Sequence, residues 1–507
     1  MAIISTNPAT SETRVLDFEE TTVAQVRALC EQAMSIAEDF AARSLAWRAE
    51  LLRSMATELE ADAEQLVAVA NEETALGKPR LEGELRRTCF QLRFFADVVT
   101  DGAFLAASID HAGDSPMGPL PDLRRMKIPL GVVGIFGSSN FPFAFSVPGG
   151  DTASALAAGC PVVIKAHPAH PATSTATFRA LERAALKSDA PQGALNLIHG
   201  FDAGIALVES NHVSAVGFTG SVPAGRALWQ LANARATPIP FYGELGAANP
   251  LVVTALAAKE RAGEIGRGFA GSMTLGAGQF CTKPGLLLVP TGTEGDELVT
   301  ALVQALEALG SFVLLSEGVA HNFHVGSESM GSVAAVRVLV DDAEHEQHRS
   351  TARLFEIDAE DFVAPGAAAL REECFGPAAV VIRYSSTGQL RQALMACERS
   401  LTFSVFSGID DGDEEWLVGF GVQRAGRVIV NGFPTGVGVS WSMQHGGPWP
   451  STTSSSATSV GAASIERWLR PVTFQSISDA SLPLALQEEN PLGIPRRVDG
   501  VQNLRRS

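Results

Sequence analysis

The sequence predicts an α/β protein with more than one domain. Its 507 residues exceed what one hydrophobic core usually organises, and 46% of them are hydrophobic, which is enough for two large cores. Apolar runs with the length of strands alternate with segments of helical spacing, and 48 glycines and 27 prolines separate them. This alternation is typical of parallel sheets covered by helices.

The net charge of −18 makes nucleic acid and anionic membranes poor partners for the whole chain. The N-terminal residues lack a basic segment followed by an apolar core, and no run of about 18 apolar residues occurs elsewhere. We expect a cytoplasmic protein without a membrane segment. The six cysteines are far apart and none has CxxC spacing, so we expect reduced thiols: Cys30, Cys89, Cys160, Cys281, Cys374 and Cys397.

Helical and strand patterns follow one another in a definite order. Residues from about 22 to 99 have helical spacing of apolar and charged positions and predict an opening helical layer. The strand "LGVVGIFG", the helix "GGDTASALAAG" and the strand "CPVVIKAHP" then form a βαβ unit, which implies a parallel sheet. After Gly246 a second α/β pattern begins, with the strands "NPLVVT", "GLLLVP", "AAVVIRYS" and "GRVIVNGFP".

Two features at predicted strand ends suit an anionic ligand. The strand "VGFTG" leads through Ser221 and Gly225 into a helix, whose N-terminal N–H groups can hold a pyrophosphate. The same glycines also suit a tight bend, and the GxGxxG fingerprint is missing. Lys165 ends the strand "CPVVIK" and is either a ligand for ribose hydroxyls or phosphate, or a surface lysine.

Three further residues have a catalytic and a structural interpretation. Glu244 in "FYGELG" has apolar and glycine neighbours, so a raised pKa would suit it to take a proton from water; the alternative is a turn carboxylate. Cys281 in "GAGQFCTKPG" is either an accessible nucleophile or a packing residue. Asn140 in "GSSNFPF" either donates to an oxyanion or forms an Asx turn before Pro142.

A metal centre is not expected. Of three histidine pairs at i, i+3 spacing, only His345 and His348 lie among carboxylates, in "DDAEHEQH". A charged, solvated helix face explains the same residues.

Taken in order, the motifs "SNFPF", "VVIK", "GFTGSVPAG", "GELG", "GQFCT" and "EECFGP" resemble the aldehyde dehydrogenase superfamily over nearly the whole chain. The resemblance implies that Cys281 attacks the aldehyde, that Asn140 and the Cys281 N–H hold the oxyanion, and that Glu244 activates water for hydrolysis of the thioester. It also implies a set of residues for NAD or NADP: Lys165, Phe218, Gly220, Ser221, Gly225, Leu245, Gly246, Glu373 and Phe375.

The family's architecture implies three parts. Residues 1–104 and 128–246 would form a Rossmann-like cofactor domain, and residues 247–467 an α/β catalytic domain. Residues 105–127 and 468–490 would form a small β element that makes a homodimer or homotetramer.

One departure from the family pattern concerns the cofactor. Many NAD-preferring members carry glutamate three positions after the strand-ending lysine, where this sequence has Pro168. The loss of that carboxylate removes a repulsion of the 2′-phosphate. NADP is therefore the expected cofactor, with NAD as the alternative.

The segments "NGFPTGV" and "QHGGPWPSTTSSSATSVG" resemble the subgroup of α-ketoglutaric semialdehyde (2,5-dioxopentanoate) dehydrogenases and NADP-linked fatty aldehyde dehydrogenases. The semialdehyde is favoured, with Lys283 or Arg267 as the candidate partner of its carboxylate; the alternative is that Lys283 is a surface lysine that points away. A fatty aldehyde is the alternative. The predicted substrate residues are Phe141, Phe145, Phe280, Thr282, Lys283 and Phe433, with Trp441 extending the aromatic wall.

A different class of function is a structural protein that keeps the fold without catalysis. The presence of Cys281, Glu244 and Asn140 favours an enzyme over this alternative.

Overall fold

The first hundred residues form a hairpin and a helical layer, in agreement with the helical spacing of the sequence. The computed structural model describes residues 1–341 and 348–503. Thr22 caps the first helix, because its side chain accepts the Gln25 N–H and the Gln25 side chain bonds back to the Thr22 backbone. The hairpin strands are Ala2–Thr6 and Thr13–Glu19, and the helices are Val23–Ser35, Ala37–Ala42, Leu45–Ala61, Ala63–Thr74 and Lys78–Asp101.

A five-stranded parallel sheet follows, and it contains the predicted βαβ units. Its strands lie in the order Phe241–Glu244, Val213–Thr219, Val132–Phe136, Val162–Lys165 and Leu195–Ile198. The helices around it are Gly150–Ala158, Pro171–Lys187, Phe201–Glu209 and Val222–Ala234. The chain reverses its winding direction beside Val132–Phe136, and ligands of open α/β sheets bind at the carboxyl edge next to such a reversal.

The second sheet has seven strands, of which only the first edge strand is antiparallel to its neighbour. Their order is Arg337–Val340, Arg353–Asp358, Ala378–Tyr384, Leu286–Pro290, Pro250–Val253, Ser400–Phe406 and Ala425–Val430. The surrounding helices are Ala255–Thr274, Thr293–Glu307, Glu317–Gly331, Ala359–Phe362, Thr387–Ala396 and Glu414–Val422. The central strands are buried on both faces, which explains their continuous apolar runs.

A small five-stranded sheet includes residues from both ranges predicted for the oligomerisation element and runs past both. Its order is Leu469–Gln475, Leu123–Pro129, Ser108–Asp110, Arg496–Val498 and Val501–Asn503, so it extends past residue 490. Two short strand pairs complete the strands, Gly113–Ser115 with Gly118–Leu120, and Phe312–Val313 with Arg349–Ser350. The 3-10 helices are Ala103–Leu105, Leu275–Gly278, Pro365–Leu370, Ala462–Trp468, Asp479–Ser481 and Leu484–Leu486.

Within the described ranges, no helix combines the length and the apolar character needed to cross a membrane.

Buried Glu84 links the helix Lys78–Asp101 to the loop that follows the central strand of the five-stranded sheet. Its Oε1 accepts hydrogen bonds from the backbone N–H groups of Phe143 (2.8 Å) and Ala144 (3.0 Å). The loop that carries Asn140 is therefore fixed by a side chain from the opening helical layer.

Glycines shape the loop that precedes Cys281. Gly276, Ala277 and Gly278 have consecutive positive φ angles of 58°, 61° and 67°. A Cβ on Gly278 would lie 2.3 Å from the carbonyl oxygen of Gly376. Only glycine therefore allows this loop to lie against the backbone of the "EECFGP" loop.

Gly278→Ala is expected to destabilise the protein by about 1–3 kcal/mol, since the new methyl group meets backbone atoms that cannot rotate away. Gly271→Ala is the matched control, because no atom lies within 4 Å of its added Cβ and the residue is within the helix Ala255–Thr274. That control should be stabilising by about 0.5–1 kcal/mol. Urea unfolding followed by circular dichroism compares the two, and equal stability of both variants would contradict the packing argument.

Candidate active site

Glu244 ends the strand Phe241–Glu244 at the carboxyl edge of the five-stranded sheet and is 4% exposed. Its Oε1 is 2.8 Å from Nε2 of His445, and its Oε2 accepts a hydrogen bond from the Ser459 hydroxyl. Burial would raise the pKa of this carboxyl, but His445, Ser459 and Cys281 outweigh burial and lower the pKa below its usual value. The expectation of a raised pKa is wrong, because these partners stabilise the carboxylate.

His445 is the main residue that sequence reasoning missed. Its Nε2 lies 3.5 Å from Sγ of Cys281 as well as 2.8 Å from Glu244. Its backbone N–H donates to Thr458 Oγ1 at 2.8 Å, which fixes the position of the histidine. The available signal was a histidine beside two glycines in "QHGGPWP", a segment without helical or strand periodicity.

The Ser/Thr-rich segment after His445 is an ordered part of the site. Thr452 forms an antiparallel bridge with Glu244, and the Leu245 N–H donates to the Ser451 carbonyl at 2.8 Å. The Thr453 hydroxyl accepts from the Gly243 N–H, also at 2.8 Å. The segment therefore continues the edge of the five-stranded sheet beyond Glu244.

Cys281 lies on the loop between the helix Ala255–Thr274 and the strand Leu286–Pro290. Its carbonyl accepts a hydrogen bond from Asn249 Nδ2 at 2.7 Å, and the same amide donates to the Lys283 carbonyl at 3.0 Å. Burial raises the pKa of the Cys281 thiol well above its usual value, and the Glu244 carboxylate raises it further. The resting group is thus the protonated thiol.

Asn140 lies directly beside this loop. Its Nδ2 donates to the carbonyl of Gln279 at 3.0 Å, and its own carbonyl accepts from Arg80 Nη2 at 2.7 Å. One amide N–H of Asn140 is used by the loop, and the second N–H of the NH2 group remains for another acceptor.

Lys283 does not point toward a substrate. It is 2% exposed, and its Nζ donates to the carbonyls of Cys374 and Ala378, both at 2.7 Å. The prediction that Lys283 meets a substrate carboxylate therefore fails, because its ammonium group connects two loops of the protein. Thr282 is 1% exposed, and its hydroxyl accepts the Gly436 N–H at 3.2 Å, so it too binds the protein's own backbone.

Three of the predicted aromatic residues form one cluster. The rings of Phe141 and Phe145 have centroids 5.2 Å apart, and those of Phe141 and Phe280 are 5.0 Å apart. Phe433 instead packs on Phe406, with a centroid distance of 4.9 Å. Trp441 lies edge-on to Phe94 and is 54% exposed.

Two cations at the site come from the helix Lys78–Asp101. The guanidinium group of Arg80 lies over Phe141 and Phe280, and that of Arg87 lies 5.1 Å from the Phe145 centroid. Burial lowers the pKa of Arg87, and the charges of Glu84, Cys281 and Glu244 oppose that effect. Arg267, the other predicted cation, is exposed on its helix.

The turn predicted to bind a pyrophosphate lies at the exposed N-terminus of a helix. Ser221 caps the helix Val222–Ala234, since its hydroxyl accepts the Ala224 N–H. Phe218 is buried beneath the turn: a Cβ on Gly220 would meet its ring at 2.6 Å, and one on Gly225 would meet Leu245 at 2.2 Å. The glycines bring the turn close to the sheet and leave its outer surface to a ligand.

The remaining predicted cofactor residues lie at two places. Lys165 ends its strand at the same edge, and burial lowers its pKa to about 8. Glu373 and Phe375 are half-buried on the "EECFGP" loop, with Glu373 Oε2 2.0 Å from the position that a Cβ on Gly246 would take. Burial raises the pKa of Glu373 to about 7. Both groups suit a ligand that carries hydroxyl and phosphate groups.

The histidine pair considered for a metal is only partly described. His345 lies outside the described residues, and His348 is buried.

The geometry agrees with comparisons to known proteins. Residues 1–473 match the aldehyde dehydrogenase family. The chain is 45% identical to alpha-ketoglutaric semialdehyde dehydrogenase 2 of Azospirillum brasilense over 94% of its length and 91% of the relative's. It is 40% identical to alpha-ketoglutaric semialdehyde dehydrogenase of Acinetobacter baylyi, over 90% and 87%.

The fold is also that of solved structures. A glyceraldehyde-3-phosphate dehydrogenase from Methanocaldococcus jannaschii, solved with NADP, superposes with a TM-score of 0.79 at 18% identity, over 94% of this chain and 98% of the other. The α/β fold predicted from the motifs is thus confirmed. The chain belongs to the aldehyde dehydrogenase family and is an enzyme that oxidises aldehydes.

Proposed function

We propose that the enzyme oxidises 2,5-dioxopentanoate to 2-oxoglutarate, using Cys281 as nucleophile and NADP as the preferred cofactor. The assignment of the substrate rests on the 45% and 40% identity to two alpha-ketoglutaric semialdehyde dehydrogenases, over at least 87% of each chain. As a member of its family, the enzyme uses NAD or NADP.

The first step is removal of the Cys281 proton. The thiol rests protonated, and Nε2 of His445 is 3.5 Å from Sγ and 2.8 Å from the Glu244 carboxylate. Glu244 can take the Nε2 proton of His445, which frees Nε2 to take the proton from the sulfur. The thiolate that results is the reactive form.

Attack of Sγ on the aldehyde carbon forms a thiohemiacetal, whose oxyanion is held by the free N–H of Asn140 and the backbone N–H of Cys281. Asn140 is fixed for this role by its bond to the Gln279 carbonyl, two residues before the nucleophile. A donor that is already oriented costs no reorganisation when the negative charge develops.

A nicotinamide held beside Cys281 would supply the hydride acceptor for oxidation of the thiohemiacetal to a thioester. After the proton taken from Cys281 has left to solvent, the Glu244 carboxylate takes a proton from water, which attacks the thioester carbon and releases the acid and the Cys281 thiolate. Its lowered pKa keeps Glu244 in the basic form at neutral pH. A cavity of about 20 Å³ borders Glu244 and His445 and is lined also by Thr452, Thr458 and Ser459, which is room for about one water molecule.

The residues of the chain fit a dinucleotide at the predicted place. The exposed N-terminus of the helix Val222–Ala234 offers N–H groups and a positive helix end to the pyrophosphate. Lys165 would hold the adenosine ribose, and the partly buried carboxyl of Glu373 would hold the nicotinamide ribose.

For the substrate's α-keto carboxylate, the chain offers Arg87 in place of Lys283. Its Nη1 is buried without a hydrogen-bond partner among the described residues, while Nη2 donates to the Val437 carbonyl at 3.3 Å. The guanidinium group lies at the Phe145 ring, on the aromatic cluster beside Cys281. A carboxylate here would satisfy the unpaired donor.

The alternative substrate is a medium- or long-chain aldehyde. The aromatic cluster favours it in part, since apolar rings bind an alkyl chain as readily as a short dicarbonyl chain. The partly unpaired Arg87 is the observation that favours the charged substrate.

The proposed function is tested by comparing kcat/KM for 2,5-dioxopentanoate, succinic semialdehyde and decanal. We expect the highest value for 2,5-dioxopentanoate and the loss of all three activities in Cys281→Ala. Equal values would contradict the substrate assignment. Activity that survives in Cys281→Ala would contradict the role of the thiol, and an inactive native protein would favour the structural alternative.

Arg87→Met is expected to lower kcat/KM for 2,5-dioxopentanoate about 10- to 100-fold, since a hydrogen bond to a charged group contributes about 1.5–3 kcal/mol. The value for pentanal, which lacks the carboxylate, should change little. Arg267→Met is the matched control, because that arginine is exposed. A parallel loss with pentanal would show a general effect on the site and contradict the anchoring role.

NADP is expected to give a higher kcat/KM than NAD. A carboxylate at this end of the site is Glu20, whose charge acts on Lys165. Glu20→Gln should raise the NADP-to-NAD ratio further, because less negative charge then opposes the 2′-phosphate. Glu31→Gln, exposed on the helix Val23–Ser35, serves as the control. A native ratio of one or less would overturn the NADP preference.

A further inference from the structure

The three ionisable side chains at the centre of the site also form a set of metal ligands. The thiol sulfur of Cys281, an imidazole nitrogen of His445 and a carboxylate oxygen of Glu244 all lie within 4.8 Å of one another. Thiolate, imidazole and carboxylate are the groups that bind zinc in proteins. Glu244 and His445 are buried, and Cys281 is only partly accessible.

The spacing of these atoms suits a tetrahedral ion. Zn–S bonds of about 2.3 Å and Zn–N bonds of about 2.0 Å at tetrahedral angles hold sulfur and nitrogen about 3.5 Å apart. Sγ of Cys281 and Nε2 of His445 are 3.5 Å apart. His445 Nε2 and Glu244 Oε1, now 2.8 Å apart, need to separate by roughly 0.5 Å when an ion replaces their shared proton.

The charges at the site remain balanced when the metal ion replaces the thiol proton. The Cys281 thiol releases its proton to solvent, and the neutral imidazole moves its proton from Nε2 to Nδ1. Nδ1 is buried and has no hydrogen-bond partner among the described residues, so it has no bond to give up. The thiolate and the carboxylate together then neutralise the two positive charges of the ion.

We propose that Glu244, Cys281 and His445 bind one zinc ion, with water as fourth ligand, in an inhibited state of the enzyme. The soft thiolate and the imidazole select zinc over magnesium or calcium. The bound ion is coordinated by the sulfur that attacks the aldehyde and by the carboxylate that activates water. It therefore blocks both groups. The inhibition rests on the proposed function, whereas the binding itself does not.

The binding is measured by equilibrium dialysis of the chelator-treated full chain against zinc chloride. We expect one ion per chain, and an affinity at least about tenfold weaker in Cys281→Ser, His445→Asn and Glu244→Gln. His321→Asn is the matched control, because His321 is exposed on the helix Glu317–Gly331. Since one proton is released, the native affinity should rise about tenfold per pH unit.

A second measurement needs no variant. Zinc should protect Cys281 of the native chain from alkylation by iodoacetamide, as mapped by mass spectrometry, and a chelator should restore both alkylation and activity. Zinc that binds equally well to Cys281→Ser, or that leaves Cys281 open to alkylation, overturns the site. A protein that binds zinc here but oxidises no aldehyde overturns the proposed function and leaves the site intact.

Discussion

The site depends on the contact between the end of the strand Phe241–Glu244 and the segment from His445 to Ser459. Backbone and hydroxyl groups of this segment pair with Gly243, Glu244 and Leu245, so two parts of the chain 200 residues apart form one sheet edge. Each such hydrogen bond adds only about 1 kcal/mol, but a buried carboxylate without partners would cost several. The segment supplies those partners and thereby allows a charged Glu244 inside the protein.

The same contact gives Glu244 and Cys281, the two central groups, different ionisation states. Burial acts on both and favours the neutral form of each. His445 and Ser459 lower the pKa of Glu244 despite its burial. The Glu244 charge instead raises the pKa of Cys281, which keeps its proton. The resting site thus holds an ionised carboxylate beside a protonated thiol. In the proposed mechanism, the reaction begins with transfer of a proton between these neighbours, and the thiolate is formed only at that step.

Local pattern was enough to predict the parts of this structure that depend on neighbouring residues. Apolar runs between glycines identified both parallel sheets, and the order of short motifs identified the aldehyde dehydrogenase family. His445 and Asn249 could not be found this way, because their roles arise only where distant loops meet. The prediction of the Glu244 pKa failed for the same reason. Its glycine and leucine neighbours suggested a raised pKa, whereas His445 and Ser459, more than 200 positions away, lower it.

Lys283 and Arg87 are both positively charged, but they have different partners in the fold. Lys283 is only two residues from Cys281 in sequence, but its side chain is buried and its ammonium group binds two main-chain carbonyls. It therefore stabilises the loop of Cys281. Arg87 lies on the helix Lys78–Asp101, outside both large sheets, and its guanidinium group contacts Phe145 of the aromatic cluster. The proposed recognition of the substrate charge by Arg87 can therefore be tested without disturbing the loop of Cys281, since that loop depends on Lys283 and Asn249 for its own bonds.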